Sequence, residues 1–298
     1  MALIEIDHLT KDYGDNRGIF DINLSIEKGK SFGFVGTNGA GKTTTIRHLM
    51  GFLKPQQGNT TVDGLNSWTE SAKIMKKVGY IPGEIAFPDA KTGTEFLSRQ
   101  AELLKLSDLT YMNYLIKKLQ LDPTANLKRM SKGMKQKTAI VAALMAEPEI
   151  LIFDEPTTGL DPLMRQAFVE IVEAEREKGR TIFMSSHMFS EVEELCDEVA
   201  LIKDGKLIAV KSTEEIKHNN VKDFKFEFIS KSSYEAFLKE NYNIIDKKEE
   251  HNQVVVQIID SDTNELFKTL THYNIKFMKE NKYTLEDYFN NLYNKGDQ

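Results

Sequence analysis

The sequence is poor in several things, and each shortage excludes something. One cysteine, Cys196, occurs in 298 residues. No disulfide can therefore form within the chain, which fits a reducing compartment. No apolar run approaches the roughly 18 residues that a membrane-spanning helix needs. A role at a membrane therefore requires another chain to supply the span. The N-terminal stretch MALIEIDHLTKDYG has no basic start followed by an apolar block, so it is not expected to be a signal peptide. An excess of positive charge is also missing. The 39 Lys and Arg face 45 Asp and Glu, a formal charge of -6, which argues against a general surface for nucleic acid or anionic lipid. Glycine is abundant and then stops: of the 18, all but Gly296 lie at or before Gly205.

That stop coincides with a shift toward Phe, Tyr, Lys and Glu. It places a boundary within 212–220 and divides the chain into residues 1–218 and 222–298. In the first part, Ile19 to Ile26 alternates apolar and polar residues, as a half-buried strand does. Ser31 to Val35, Ile150 to Phe153 and Thr181 to Ser185 are short apolar runs that suit buried parallel strands. Between Phe96 and Leu121 the period is helical, with Leu103, Leu104, Leu106, Tyr114, Leu115 and Leu119 as its apolar positions. This is the pattern of an α/β domain. The tail predicts a strand through Phe224, Phe226 and Phe228, then a helix from Ser233 to Glu240. Strands follow over Tyr242 to Lys247 and Gln253 to Ile259, and a helix over Thr263 to Tyr273. A strand over Ile275 to Lys279 and a helix over Leu285 to Tyr293 complete a small α+β domain without catalytic spacing.

The densest signal is GTNGAGKTT, Gly36 to Thr44, directly behind the first buried run. It fits G-x-x-x-x-G-K-[ST], the P-loop. Glycines let successive N–H groups turn inward and form a nest for anionic oxygens. The helix starting near Gly41 adds the positive end of its dipole. The phosphate-binding stretch is thus Gly36, Asn38, Gly39, Ala40, Gly41, Lys42, Thr43 and Thr44. Lys42 can reach the β- and γ-phosphates, and the Thr43 hydroxyl can ligate Mg²⁺. ATP and Mg²⁺ are the expected ligands. Farther on, Ile150 to Glu155 is an apolar strand ending in two acids. A carboxylate at the end of a buried strand is poorly placed unless something cationic lies beside it, the alternative being a strand-to-turn junction with solvated acids. Asp154 is placed to hold Mg²⁺, and Glu155 to orient or deprotonate the attacking water.

GTNGAGKTT, MSKGMKQK, ILIFDEPTTGLDP and MSSH follow one another in that order, and the chain thereby resembles the ATP-binding cassette ATPases over roughly residues 2–215. The segment containing Thr284 to Phe289 looks like the accessory C-terminal domain of bacterial exporter-type cassette subunits. The resemblance implies a P-loop cassette with antiparallel β and helical subdomains, the helical one at about 85–135. It also implies a head-to-tail dimer of ATPase chains, identical or paralogous, that sandwiches two ATP molecules. Each site would join the P-loop of one chain to the signature loop of the other, here Met130-Ser131-Lys132-Gly133-Met134. Ser131 and the N–H of Gly133 would contact the γ-phosphate. From the residues alone, an ordinary helix start capped by Ser131 explains that loop better. His187 resembles the family's switch histidine, and Asp161 the residue that reaches across the dimer, though a turn stabilised by Asp161 is the plainer reading. Tyr13 stands where the family stacks an aromatic on adenine.

One departure concerns the glutamine that the family usually has after the second strand. Gly83 stands at that place, and Glu84 next to it is the expected substitute ligand for Mg²⁺. The function implied is the ATP-hydrolysing subunit of an exporter, peripheral on the cytoplasmic face of the cell membrane. Its catalytic residues would be Glu155, His187 and Lys42, and it would drive a separately encoded integral membrane subunit. Phe87, Phe96 and Leu97 are candidates for the docking groove, with simple core packing as the alternative. Two other functions stay open: a non-transport cassette ATPase acting on a soluble partner such as the ribosome, and a regulatory nucleotide sensor.

Overall fold

The structure is a computed structural model that describes residues 2–217, 221–281 and 283–295. The chain falls into two compact units, Met1–Ser212 and Thr213–Gln298.

In the first unit a six-stranded sheet runs in the order Lys206–Ser212, Glu198–Lys203, Ser31–Val35, Thr181–Ser186, Ile150–Asp154, Val78–Ile81. The last five are parallel to one another, and Lys206–Ser212 is antiparallel at the edge. Ser31–Val35, Thr181–Ser186 and Ile150–Asp154 are buried at every position. That is why they read as continuous apolar runs without alternation. Because they are parallel, their C-terminal ends share one edge. The P-loop, Glu155 and His187 follow directly from those ends.

A second, antiparallel sheet runs in the order Gly18–Glu27, Ala2–Asp12, Gln57–Val62, Leu65–Asn66. The alternation from Ile19 to Ile26 has its cause here, since Ile22, Leu24 and Ile26 face inward. The helix Lys42–Leu49 lies between the two sheets. Its Ile46 and Leu49 share one core with Ile4, Ile6 and Ile22 of the antiparallel sheet and with Phe34 and Ile152 of the parallel one.

The helical period from Phe96 to Leu121 is not one helix. It is two, Gly93–Leu103 and Thr110–Lys118. The first ends because Lys105 takes a left-handed φ of 55°. Leu106 N–H then donates to Ala101 O and Lys105 N–H to Glu102 O, the paired bonds of a helix-terminating Schellman turn. Asp108 Oδ1 accepts from Thr110 N–H at 2.8 Å and starts the second helix. Leu103, Leu104 and Tyr114, all apolar positions of that period, are exposed. Phe96, Leu97, Leu115 and Leu119 are buried.

The second unit has a four-stranded antiparallel sheet in the order Asn243–Lys248, Gln253–Ile259, Val221–Phe228, Ile275–Asn281. Phe224, Phe226 and Phe228 alternate inward and pack with Val254, Val256, Tyr234 and Phe237. Helices Lys231–Phe237 and Thr263–Leu270 contribute to that core through Phe237 and Leu266. The helix Leu285–Lys295 lies against a short helix, Thr213–Lys217. Every element expected in the tail is present, with ends moved by a few residues.

Candidate functional site

The site begins with the P-loop backbone. Lys42 opens the helix Lys42–Leu49, and its side chain folds back over the loop. Its Nζ donates to Gly36 O at 2.7 Å and to Thr37 O at 3.2 Å. The same Nζ pairs with Glu155 Oε1 at 3.3 Å, with Lys42 only 6% exposed. Tyr13, Asn38, Thr43, Thr44 and Glu155 line one cleft of about 410 Å³. Gly39 and Gly41 line it too, whereas Gly36 and Ala40 are buried. Ala40 serves through its backbone, N–H to Thr37 O and carbonyl to Gly205 N–H.

Tyr13 is exposed at the mouth, with Lys11 Nζ 5.5 Å from its ring centroid. Arg17 also lines the cleft and was not anticipated. A tight turn brings it there: Tyr13 N–H donates to Arg17 O and Arg17 N–H to Gly14 O. Asp15 and Asn16 in this turn have φ of 52° and 56°. Both types tolerate that conformation, so Gly14-Asp15-Asn16 was a legible turn signal.

Opposite the loop stand the two acids. Asp154 is fully buried. Its Oδ1 accepts from Ser185 Oγ at 2.6 Å, while its Oδ2 is buried and has no hydrogen-bond partner among the described residues. Burial, and then the Asp154 carboxylate, push the Tyr80 hydroxyl up to about 12. Glu155 has a left-handed φ of 51°. Its N–H donates to Ser185 O at 3.2 Å and to Ser185 Oγ at 3.1 Å. This anchor turns the side chain so that Oε1 meets Lys42 and Oε2 is hydrogen-bonded to His187 Nδ1. His187 itself is half exposed.

Gly83 reaches the same place, for a Cβ built on it would stand 2.9 Å from Asp154 Oδ2. Glu84 is exposed and is held by none of the contacts that join Asp154, Glu155, Lys42 and His187.

Ser131 and Asp161 lie on the surface as helix caps. Ser131 Oγ accepts from Met134 N–H at 3.2 Å at the start of Lys132–Leu144. Asp161 Oδ1 accepts from Met164 N–H at 3.0 Å at the start of Pro162–Glu177. The two loops touch: a Cβ on Gly133 would stand 2.7 Å from the Gly159 carbonyl oxygen. Gln136, buried and also not anticipated, donates to Pro156 O at 2.6 Å and ties the same two segments together. It lies inside MSKGMKQK, but its partner stands 20 residues on in the chain. Within one chain, then, Lys42, Asp154, Glu155 and His187 converge. Exposed Ser131 and Asp161 and half-buried Gly133 lie outside the cleft that Lys42 and Glu155 line.

Comparison with known proteins agrees with this geometry. The family described as ABC transporter matches residues 19–158. The bacitracin transport ATP-binding protein BcrA of Bacillus licheniformis is 31% identical over 99% of this chain and 98% of its own length. The linearmycin resistance ATP-binding protein LnrL of Bacillus subtilis (strain 168) is 36% identical over 70% of this chain and 68% of its own. A solved ATP-binding subunit of an ABC transporter superposes with a TM-score of 0.66 at 30% identity, covering 72% of this chain and 92% of that one. The chain belongs to the ABC transporter family, as one of its ATP-binding, ATPase subunits.

Proposed function

We propose that the cleft beside Tyr13 and the P-loop binds ATP, and that Glu155 is the base of its hydrolysis. The observation that carries this is the meeting of Lys42, Glu155 and His187 beside a buried Asp154 whose Oδ2 has no hydrogen-bond partner among the described residues. Lys42 neutralises Glu155 in the free protein and is the group that phosphate oxygens would compete for. Glu155, released from Lys42, would take a proton from water, with His187 holding its other oxygen. Thr43 and Asp154 would hold Mg²⁺; an unpartnered buried carboxylate oxygen suits a hydrated dication, which when bound neutralises charge on the phosphates.

Ser131, Gly133 and Asp161 do not line the cleft of Lys42 and Glu155, and a second ATPase chain would supply them. The proposed work is export through a separately encoded integral membrane subunit, with this chain peripheral on the cytoplasmic face. Relatives named for bacitracin transport and linearmycin resistance support that reading. So does a groove of about 460 Å³ lined by Ile85 to Ala90, Leu127, Lys128 and Lys135. Phe87 lines it and rests edge-on against Phe96. Phe96 and Leu97 themselves are buried and pack the core beneath.

The test is Glu155→Gln. The amide keeps the shape and the backbone anchor on Ser185, so ATP should bind at least as tightly as in the wild type. Steady-state turnover should fall by about 10²- to 10⁴-fold, the usual contribution of a positioned base. Wild-type turnover from this variant would remove Glu155 from its role. The same variant, recovered with ATP from detergent-solubilised native membranes, should bring a multi-span protein with it.

A further inference from the structure

Behind the proposed base and its histidine lies a carboxylate that the chemistry does not use. Glu191, in the first turn of the helix Phe189–Leu195, is 3% exposed. Its Oε1 accepts from Thr157 Oγ1 at 2.6 Å, and its Oε2 from Ser186 Oγ at 3.1 Å. Arg165 Nε lies 3.3 Å from Oε1. Ser186 Oγ in turn accepts from Met188 N–H at 2.9 Å, so the backbone on both sides of His187 is held. Thr157 lies two residues beyond Glu155 and four before Asp161. Its carbonyl accepts from Leu160 N–H, and the Glu155 carbonyl from Thr158 N–H, so the segment from Glu155 to Leu160 is a folded, hydrogen-bonded loop.

We infer that Glu191 is a positioning residue for ATP hydrolysis: its two oxygens lock the loop of Glu155 and Asp161 to the strand end of His187. The inference rests on the roles proposed above for Glu155 and His187. A carboxylate is costly to bury, and one arginine at 35% exposure offsets that cost in part. An apolar residue would fill the space with less desolvation. What it cannot do is accept two hydroxyl hydrogen bonds from two different loops at once. That geometry adds to the Ser185 anchor of Glu155 in setting how Glu155 and His187 stand to one another about their direct contact. It also links Asp161, at the surface, to His187, in the site. A second chain that engages Asp161 would therefore act on the histidine through Thr157, Glu191 and Ser186.

The experiment compares Glu191→Ala, Glu191→Gln and Thr157→Val in the full-length chain. Turnover, KM, equilibrium nucleotide affinity and thermal midpoint are measured for each. Glu191→Ala should lower kcat by about tenfold to a hundredfold, the scale of a displaced catalytic group, with nucleotide affinity within about twofold. Glu191→Gln keeps acceptors for Thr157 and can meet Ser186, so it should recover kcat to within about threefold of wild type. Thr157→Val removes one bond without leaving a hole and should lower kcat by about threefold to tenfold. It also serves as the test if Glu191→Ala does not fold. Unchanged kcat in the folded alanine or valine variant would overturn the inference. So would a kcat loss matched by an equal loss of nucleotide affinity, or a glutamine variant no better than the alanine one. Glu155→Gln, run beside them, separates the two layers: wild-type turnover there refutes the base itself, whatever Glu191 does.

Discussion

Putting the family's usual glutamine at position 83 should damage this chain. Gly83 follows Pro82 just past the strand Val78–Ile81. A Cβ at that position would lie 2.9 Å from Asp154 Oδ2 and 3.1 Å from Asp154 Cγ. Ordinary contact begins about half an ångström farther out. Asp154 has little room to yield. It is fully buried, its backbone pairs with Ser185 in the sheet, and its Oδ1 accepts from Ser185 Oγ at 2.6 Å. Rotating the carboxylate away would sacrifice that charge-assisted bond, at about 1.5–3 kcal/mol. Keeping the bond with an off-rotamer side chain costs about 0.5–1.5 kcal/mol. Gly83→Ala and Gly83→Gln should therefore each lose about 1–3 kcal/mol of stability, read as a lower urea midpoint at unchanged m-value in nucleotide-free protein. Both should also need more Mg²⁺ for half-maximal turnover, because the disturbed oxygen is the one proposed to face the cation. The alanine variant isolates the Cβ from the amide. If the glutamine variant matches wild type in urea and in its Mg²⁺ requirement, the space over Asp154 is not what the glycine provides.

Two further changes probe the P-loop. Gly41 has φ 111°, and a Cβ on it would stand 2.5 Å from Ile19 Cγ2; Gly41→Ala should lose about 1–3 kcal/mol from backbone strain alone and bind ATP at least about tenfold more weakly, checked by calorimetric titration of the folded variant. His48, buried in the same helix with Nδ1 2.8 Å from Thr44 O, is held below the ordinary imidazole pKa, chiefly by burial. The unfolded chain therefore binds the proton first, so this contribution is present above about pH 6.5 and is lost as pH falls below it. The thermal midpoint of His48→Leu should fall less steeply than that of wild type between about pH 7.5 and 5.5, and parallel slopes would contradict this.

What was readable in the sequence had local causes. The buried strands Ser31–Val35, Ile150–Asp154 and Thr181–Ser186 announced themselves as apolar runs because both faces are covered. The P-loop was legible because its glycines and lysine are contiguous. The three helix ends that were not legible share one feature. Lys105, Gln120 and Glu147 all take a left-handed φ after a helix, where a glycine would have flagged the stop. Hence the helical period between Phe96 and Leu121 carried no mark of the break at Lys105. Arg17, Gln136, Ser185 and Glu191 were missed for a different reason. Each acts on a partner that sheet topology or a turn brings near, such as Ser185 beside Asp154 in adjacent strands. The turn of Arg17 lay within its own window, but the others have a partner far along the chain: Pro156 for Gln136, Asp154 for Ser185 and Thr157 for Glu191.

Ser131 and Asp161 show why a correct local reading can be incomplete. From sequence, a helix cap was the simpler account of Ser131, and a stabilised turn the simpler account of Asp161. Each side-chain oxygen does accept from a backbone N–H three residues on. A cap uses one lone-pair direction of an exposed oxygen and fixes where the residue stands. Capping therefore prepares a contact with another molecule rather than competing with it. The helix behind Ser131 still presents unsatisfied N–H groups and the positive end of its dipole outward, an arrangement suited to a phosphate. Lys132 and Lys135 sit in that first turn, where cations oppose the dipole within the isolated helix. Charges that are unfavourable to their own helix become favourable once an anion is placed against it. On the proposed reading that anion arrives on the P-loop of a second chain, and the surface group that looks merely structural in one chain is half of a site.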